Sequence, residues 1–87
     1  MLPSISDTME EIRSRYFDAV QIIVERDCEG SKRRFEREVG ISHGNLLQRE
    51  TGRLTIQTKD IALLVKKYNV SPDWLFTGKG GMFSGMG

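Results

Sequence analysis

Apolar residues recur early in the chain at Met9, Ile12, Tyr16, Phe17, Val20, Ile23 and Val24. Steps of three, four and one place them on one broad face of a helix. Arg13, Arg15, Asp18, Gln21 and Glu25 fall on the opposite, solvent side, and Ile22 falls off the apolar face. Ser6, Asp7 and Thr8 are candidate N-caps, and Asp7 with Glu10 or Thr8 with Glu11 has capping-box spacing. The pattern predicts a first helix from there to about Asp27, with residues 1–5 frayed. Gly30 can adopt the left-handed conformation that closes it.

A second, shorter rhythm follows. Ser31 is suited to cap a helix whose Phe35 and Val39 face the core, with Lys32, Arg33, Arg34 and Arg37 outward. Gly40 stops that helix, Ile41 plugs the turn, and Ser42 is placed to cap a third helix over His43 to Glu50. Thr51-Gly52 ends it. A connector leads to a fourth helix from Gln57 or Thr58 through Tyr68. Its Ile61, Leu64, Val65 and Tyr68 point inward, and its Lys59, Lys66 and Lys67 point outward. Ser71-Pro72-Asp73 then starts a one-turn fifth helix, with serine as cap and proline at the first position. Trp74 and Leu75 are expected to seal the core. Residues 77–87 hold five of the nine glycines and read as a flexible tail or the start of a linker. The expected fold is all-α: a compact five-helix domain over residues 6–76, with a long first helix.

Composition narrows the function. The chain has 87 residues, 38% of them hydrophobic and 29% charged, which suits one soluble globular domain. No apolar run approaches the length of a membrane span. The first residues are acidic and lack an apolar segment, so a signal peptide is not expected and a cytoplasmic location follows. Cys28 is the only cysteine and His43 the only histidine. That leaves no partner for an internal disulfide and no ligand set for zinc. Ser42 and His43 are adjacent with no acid placed to orient the imidazole, and the glycine run near residue 80 follows a helix rather than a strand. Neither an enzyme nor a cofactor is expected.

Net charge is only +1, weak for a nucleic-acid binder. Its distribution is lopsided. Asp7, Glu10, Glu11, Asp18 and Glu25 gather early, whereas Lys32, Arg33, Arg34, Arg37, Arg49, Arg53, Lys59, Lys66 and Lys67 gather in and after the central stretch. A short helix can enter the DNA major groove if its outer face carries polar side chains near its N-terminus. His43, Asn45 and Gln48 stand where such a helix reads bases, and the amide side chains suit adenine. Ser31, Lys32, Ser42, Arg53, Thr58 and Lys59 are candidates for phosphate contacts.

The run EREVGISHGNLLQRETGR (36–53), with KKYNVSPDWLFTGKG (66–80) behind it, resembles the Cro/Xre-type, lambda-repressor-like helix-turn-helix family. The likeness spans about residues 31 to 81 and is carried by the turn motif together with the Trp-Leu closure. It implies a sequence-specific binder of double-stranded DNA, a transcriptional regulator and commonly a repressor, working as a homodimer on a palindromic operator. It also implies base reading by His43, Gly44, Asn45 and Gln48, and dimer contacts at Asn69 to Phe76, mapped onto Val70, Pro72, Asp73 and Phe76, with Met82 and Phe83 as further candidates. The chain is then either complete or the N-terminal domain of a longer repressor. The rival reading is a protein-interaction module, such as an antitoxin, that uses the same fold to hold a protein.

Two positions depart from the family pattern. Glu36 stands where a small residue is usual, and Arg49 where an apolar one is usual. Either the two pair with each other between the helices, or the third helix rolls so that Leu47 takes more of the core. A partly exposed pair would make Arg49→Leu nearly harmless. Glu50 is expected to pair with a first-helix arginine such as Arg26.

Overall fold

A computed structural model describes residues 5–42, 44–52 and 55–83. Five helices follow in order: α1 (Ile5–Asp27), α2 (Lys32–Val39), α3 (Asn45–Glu50), α4 (Thr58–Tyr68) and α5 (Pro72–Thr77). The class is all-α, as the sequence pattern predicts.

The buried stripe of α1 is Ile12, Tyr16, Ala19, Val20, Ile23 and Val24. Met9, expected inside, is 39% exposed. At 23 residues α1 is about 34 Å long, roughly twice the reach of the 11-residue α4, so at Met9 the stripe already extends past full cover. Against the stripe lie Phe35 and Val39 of α2, Leu46 of α3, Leu64 and Tyr68 of α4, Val70, and Leu75 of α5. The rings of Phe35 and Tyr68 stack at 5.9 Å. Cys28 is fully buried in the same cluster. Burial, and next the nearby Glu38 carboxylate, raise its thiol above the usual range, so it stays protonated.

The helix ends follow local chemistry. The Ser31 hydroxyl accepts from the Arg34 amide at 3.1 Å. Gly40 takes a left-handed conformation (φ 77°), and the Ile41 amide donates to the Glu36 carbonyl at 2.8 Å, which completes a Schellman turn. Ser71 caps α5 by accepting from the Trp74 amide, with Pro72 in the first turn. At the other end of α5, Arg15 of α1 donates to the carbonyls of Leu75 (2.7 Å) and Phe76 (3.1 Å). Arg15, expected on the solvent side, thus ties α1 to the negative end of α5.

The glycine-rich segment after α5 returns to the domain as far as Phe83. The Ser71 amide donates to the Met82 carbonyl at 2.8 Å, and Val70 and Phe83 form an antiparallel bridge. Met82 and Phe83 pack on the core, and the Arg26 guanidinium sits 4.6 Å over the Phe83 ring. The expected loose tail from residue 77 is therefore corrected up to residue 83. The glycines gave the impression of a linker, but Met82 and Phe83 supply apolar surface that is worth burying.

Candidate nucleic-acid interface

The turn between α2 and α3 is built differently from its sequence expectation. α3 begins at Asn45 with Gly44 as its N-cap, two residues later than predicted. Gly44 has φ 86°, a conformation L side chains rarely adopt. The expected cap, Ser42, contributes only its carbonyl, which accepts from the Asn45 amide at 3.0 Å. Its place is taken by Glu36, whose Oε2 accepts from the amides of Gly44 (3.0 Å) and Leu46 (3.1 Å). Glu36 is 5% exposed. A carboxylate on α2 thus satisfies the orphan amides of α3 and sits at the positive end of its dipole.

Arg49 also has a different partner from the one expected. Its Nε donates to Asp60 Oδ2 at 3.0 Å, and its Nη1 donates to the Asn45 carbonyl at 3.4 Å. The same Asp60 oxygen accepts from the Gln57 amide at 2.8 Å and so caps α4. Arg49 and Asp60 are both buried. The expected Glu36–Arg49 pair is overturned because each has a separate task. The rolled-helix alternative is overturned as well: Leu46 is 2% exposed and Leu47 is 61% exposed. Glu50 pairs with Lys32 of α2 at 3.5 Å rather than with Arg26, which is engaged by Asp27 and Phe83.

The candidate base readers divide by position. Gly44 is exposed, while Asn45 and Gln48 are half-buried on α3. Leu47 is 61% exposed, an apolar side chain on the outer face of α3 that the sequence pattern does not mark as a contact residue. The signal lay in the pair Leu46-Leu47, of which a short helix can bury only one. His43 and Arg53 lie outside the described residues. Of the candidate phosphate ligands, Lys32, Ser42, Thr58 and Lys59 are exposed, and Ser31 is half-buried with its hydroxyl committed to the α2 cap.

Two further cations join them. Arg34 is held by Glu29 and Glu38. Arg33 and Arg37, one helical turn apart, have no carboxylate partner among the described residues. With Ile41 and Glu36 they line a hollow of about 370 Å³ beside the turn. Their four-residue spacing in the sequence was the available signal. Of the residues expected at a dimer contact, Val70 is fully buried and cannot meet a second folded copy, whereas Pro72, Asp73 and Phe76 are exposed. Val70 has that place because it closes α4 and pairs with Phe83.

Fold and site together define an all-α, five-helix domain with a short, internally capped helix presented beside a basic one. No protein-family model, curated protein or solved structure matches the chain. Among the described residues no helix is long and apolar enough to cross a membrane, and no cluster of side chains is arranged to hold a metal ion.

Proposed function

We propose that this chain is a lambda-repressor-like, sequence-specific binder of double-stranded DNA that regulates transcription, as a repressor, in the cytoplasm. α3 enters the major groove, and the chain acts by binding alone, without catalysis or a cofactor. The observation that carries this reading is the way α3 is held. Glu36 and the Arg49–Asp60 pair fasten its inner side and its N-terminus from two different helices, leaving Gly44 and Leu47 exposed and Asn45 and Gln48 half-exposed. A six-residue helix cannot hold itself in water. Spending two buried charged groups on its orientation is reasonable if that orientation matters.

In this reading Asn45 and Gln48 bond to adenine edges, and Leu47 contacts a thymine methyl group. Lys32, Arg33, Arg37, Ser42, Thr58 and Lys59 address phosphates and set the register. His43 keeps the base-reading role that the family likeness implies, and Arg53 the phosphate role that its place in the sequence just beyond α3 suggests. Two copies meet through the exposed Pro72, Asp73 and Phe76 and bind a palindromic operator. The test is an NMR titration of the labelled chain with a duplex. The reading predicts that shifts concentrate at the amides of Gly44, Asn45, Leu47 and Gln48 and along α2. Shifts confined to α4 and α5, or none at low salt, would overturn it.

A further inference from the structure

α3 is fastened at its N-terminus and on its inner side, and at six residues its C-terminal end must also be fixed from outside the helix. The last turn closes on itself. The Thr51 amide donates to the Leu47 carbonyl at 2.9 Å, the Gly52 amide to the Arg49 carbonyl at 3.2 Å, and the Thr51 hydroxyl to the Gln48 carbonyl at 3.2 Å. The Lys32–Glu50 pair reaches this end at 3.5 Å, but its side chains are 62% and 42% exposed, and such a pair holds little.

Arg13 of α1 meets the same turn. A Cβ built on Gly52 would lie 2.7 Å from Arg13 Nη1 and 3.6 Å from its Cζ, so the guanidinium occupies the space that a side chain at this position would need. Gly52 also has φ 84°, a conformation that suits glycine. The guanidinium is tethered as well, because its Nη2 donates to Glu10 Oε1 on the preceding turn of α1. The arrangement repeats at α5, two residues further along α1. Arg15 donates to the carbonyls of Leu75 and Phe76, and a Cβ on Gly78 would lie 3.4 Å from its Nη1. Two arginines of one helix thus stand at the C-terminal ends of α3 and α5, each against a left-handed glycine.

We propose that Arg13 is a positioning residue for α3: it seats the C-terminal half of the helix through Gly52, so that Gln48 meets its base pair in register. Glu36 does the same for the N-terminal half, which carries Asn45. The guanidinium also brings positive charge to the end of α3 where the carbonyls, and Glu50 with them, are negative. The consequence for base reading rests on the DNA-binding reading, whereas the seating of α3 does not. A residue that sets the register of one side chain affects discrimination at one base pair, whereas a phosphate contact affects every sequence alike.

Two variants of the whole chain displace the guanidinium in different ways. Arg13→Ala removes it together with one positive charge. Gly52→Asn keeps the charge but fills the seat with a Cβ, and asparagine tolerates the left-handed conformation, as Asn69 does here at φ 60°. Each variant and the double variant are measured by amide exchange without DNA, and by affinity for a duplex selected from a random pool and for single base-pair changes in it. The Thr51 amide is expected to exchange at least about fivefold faster in both variants, while the Leu46 amide at the Glu36 end is unchanged. Discrimination at the base pair facing Gln48 is expected to fall about tenfold in each, that at the pair facing Asn45 to hold, and the double variant to lose no more than either alone. Equal losses at every base pair, additive losses in the double variant, or unchanged exchange at Thr51 would overturn the proposal. If the parent chain selects no duplex, the DNA-binding reading fails by itself, and exchange at Thr51 alone decides whether Arg13 seats α3.

Discussion

Glu36 and Arg49 are charged residues at positions where two helices touch, and each is stable there because several donors or acceptors converge on it. Glu36 accepts from the amides of the N-cap Gly44 and of Leu46 at the start of α3, neither of which has a partner within the helix. Removing the carboxylate takes the acceptor from both amides, of which that of Leu46 is buried. Glu36→Ala is expected to cost about 1–3 kcal/mol in urea denaturation. Glu36→Gln keeps an acceptor oxygen and should lose less than half as much. Equal losses in the two variants would mean that the charge, and not the hydrogen bonding, holds α3. Arg49 is the opposite case. Its loss strands Asp60, of which one oxygen is bonded to Arg49 and Gln57 while the other has no partner among the described residues. Arg49→Leu should therefore cost about 3–5 kcal/mol, not the negligible amount expected of an exposed pair. Adding Asp60→Asn should return part of the loss by removing the stranded charge. If Arg49→Leu proves neutral, the pair contributes nothing that leucine packing cannot replace.

At the scale of elements, the return of the chain after α5 makes Phe83 part of the domain. Phe83→Ala removes a half-buried ring, its packing on the core and the cover it gives Arg26. A loss of about 1–2 kcal/mol is expected from the apolar area alone, read as a lower urea midpoint with an unchanged slope. No loss would return the segment to the status of a loose tail. Helix identity was legible in the chain because each helix carries its own signals: a 3.6-residue apolar stripe in α1, serine caps for α2 and α5, and Gly40 between α2 and α3. The start of α3 was not legible. Its cap is a side chain eight residues earlier on another helix, and no local pattern encodes such a contact. The same holds for Asp60, which in the sequence is one more acid in the first turn of α4. Only the fold brings it to Arg49. Docking of Met82 and Phe83 was hidden by the glycines around them, which signal freedom of the backbone whatever the side chains between them do.

For the molecule as a whole, two buried tyrosines set a limit on stability at high pH. Burial, with the Asp60 carboxylate adding to it, raises the Tyr16 phenol well above its usual range. Burial and the hydrogen bond to Glu38 do the same for Tyr68. A folded-state pKa above the unfolded value of about 10 favours the folded state fully below that pH and less with each step above it. Stability should therefore fall above about pH 10, and Tyr16→Phe should flatten that fall when urea midpoints are compared across the range. An equally steep fall in the variant would place its origin elsewhere. The net charge of +1 makes any nucleic-acid affinity depend on where the charges stand, with uncommitted cations on α2 and uncommitted carboxylates on α1. The central claim is that α3 reads duplex sequence, and enrichment of bound duplexes from a randomised pool at two salt concentrations tests it most directly. The account predicts a palindromic consensus with adenine-thymine pairs at the positions facing Asn45, Leu47 and Gln48, and binding that weakens steeply as salt rises. A pool that stays random after repeated rounds at low salt would contradict it.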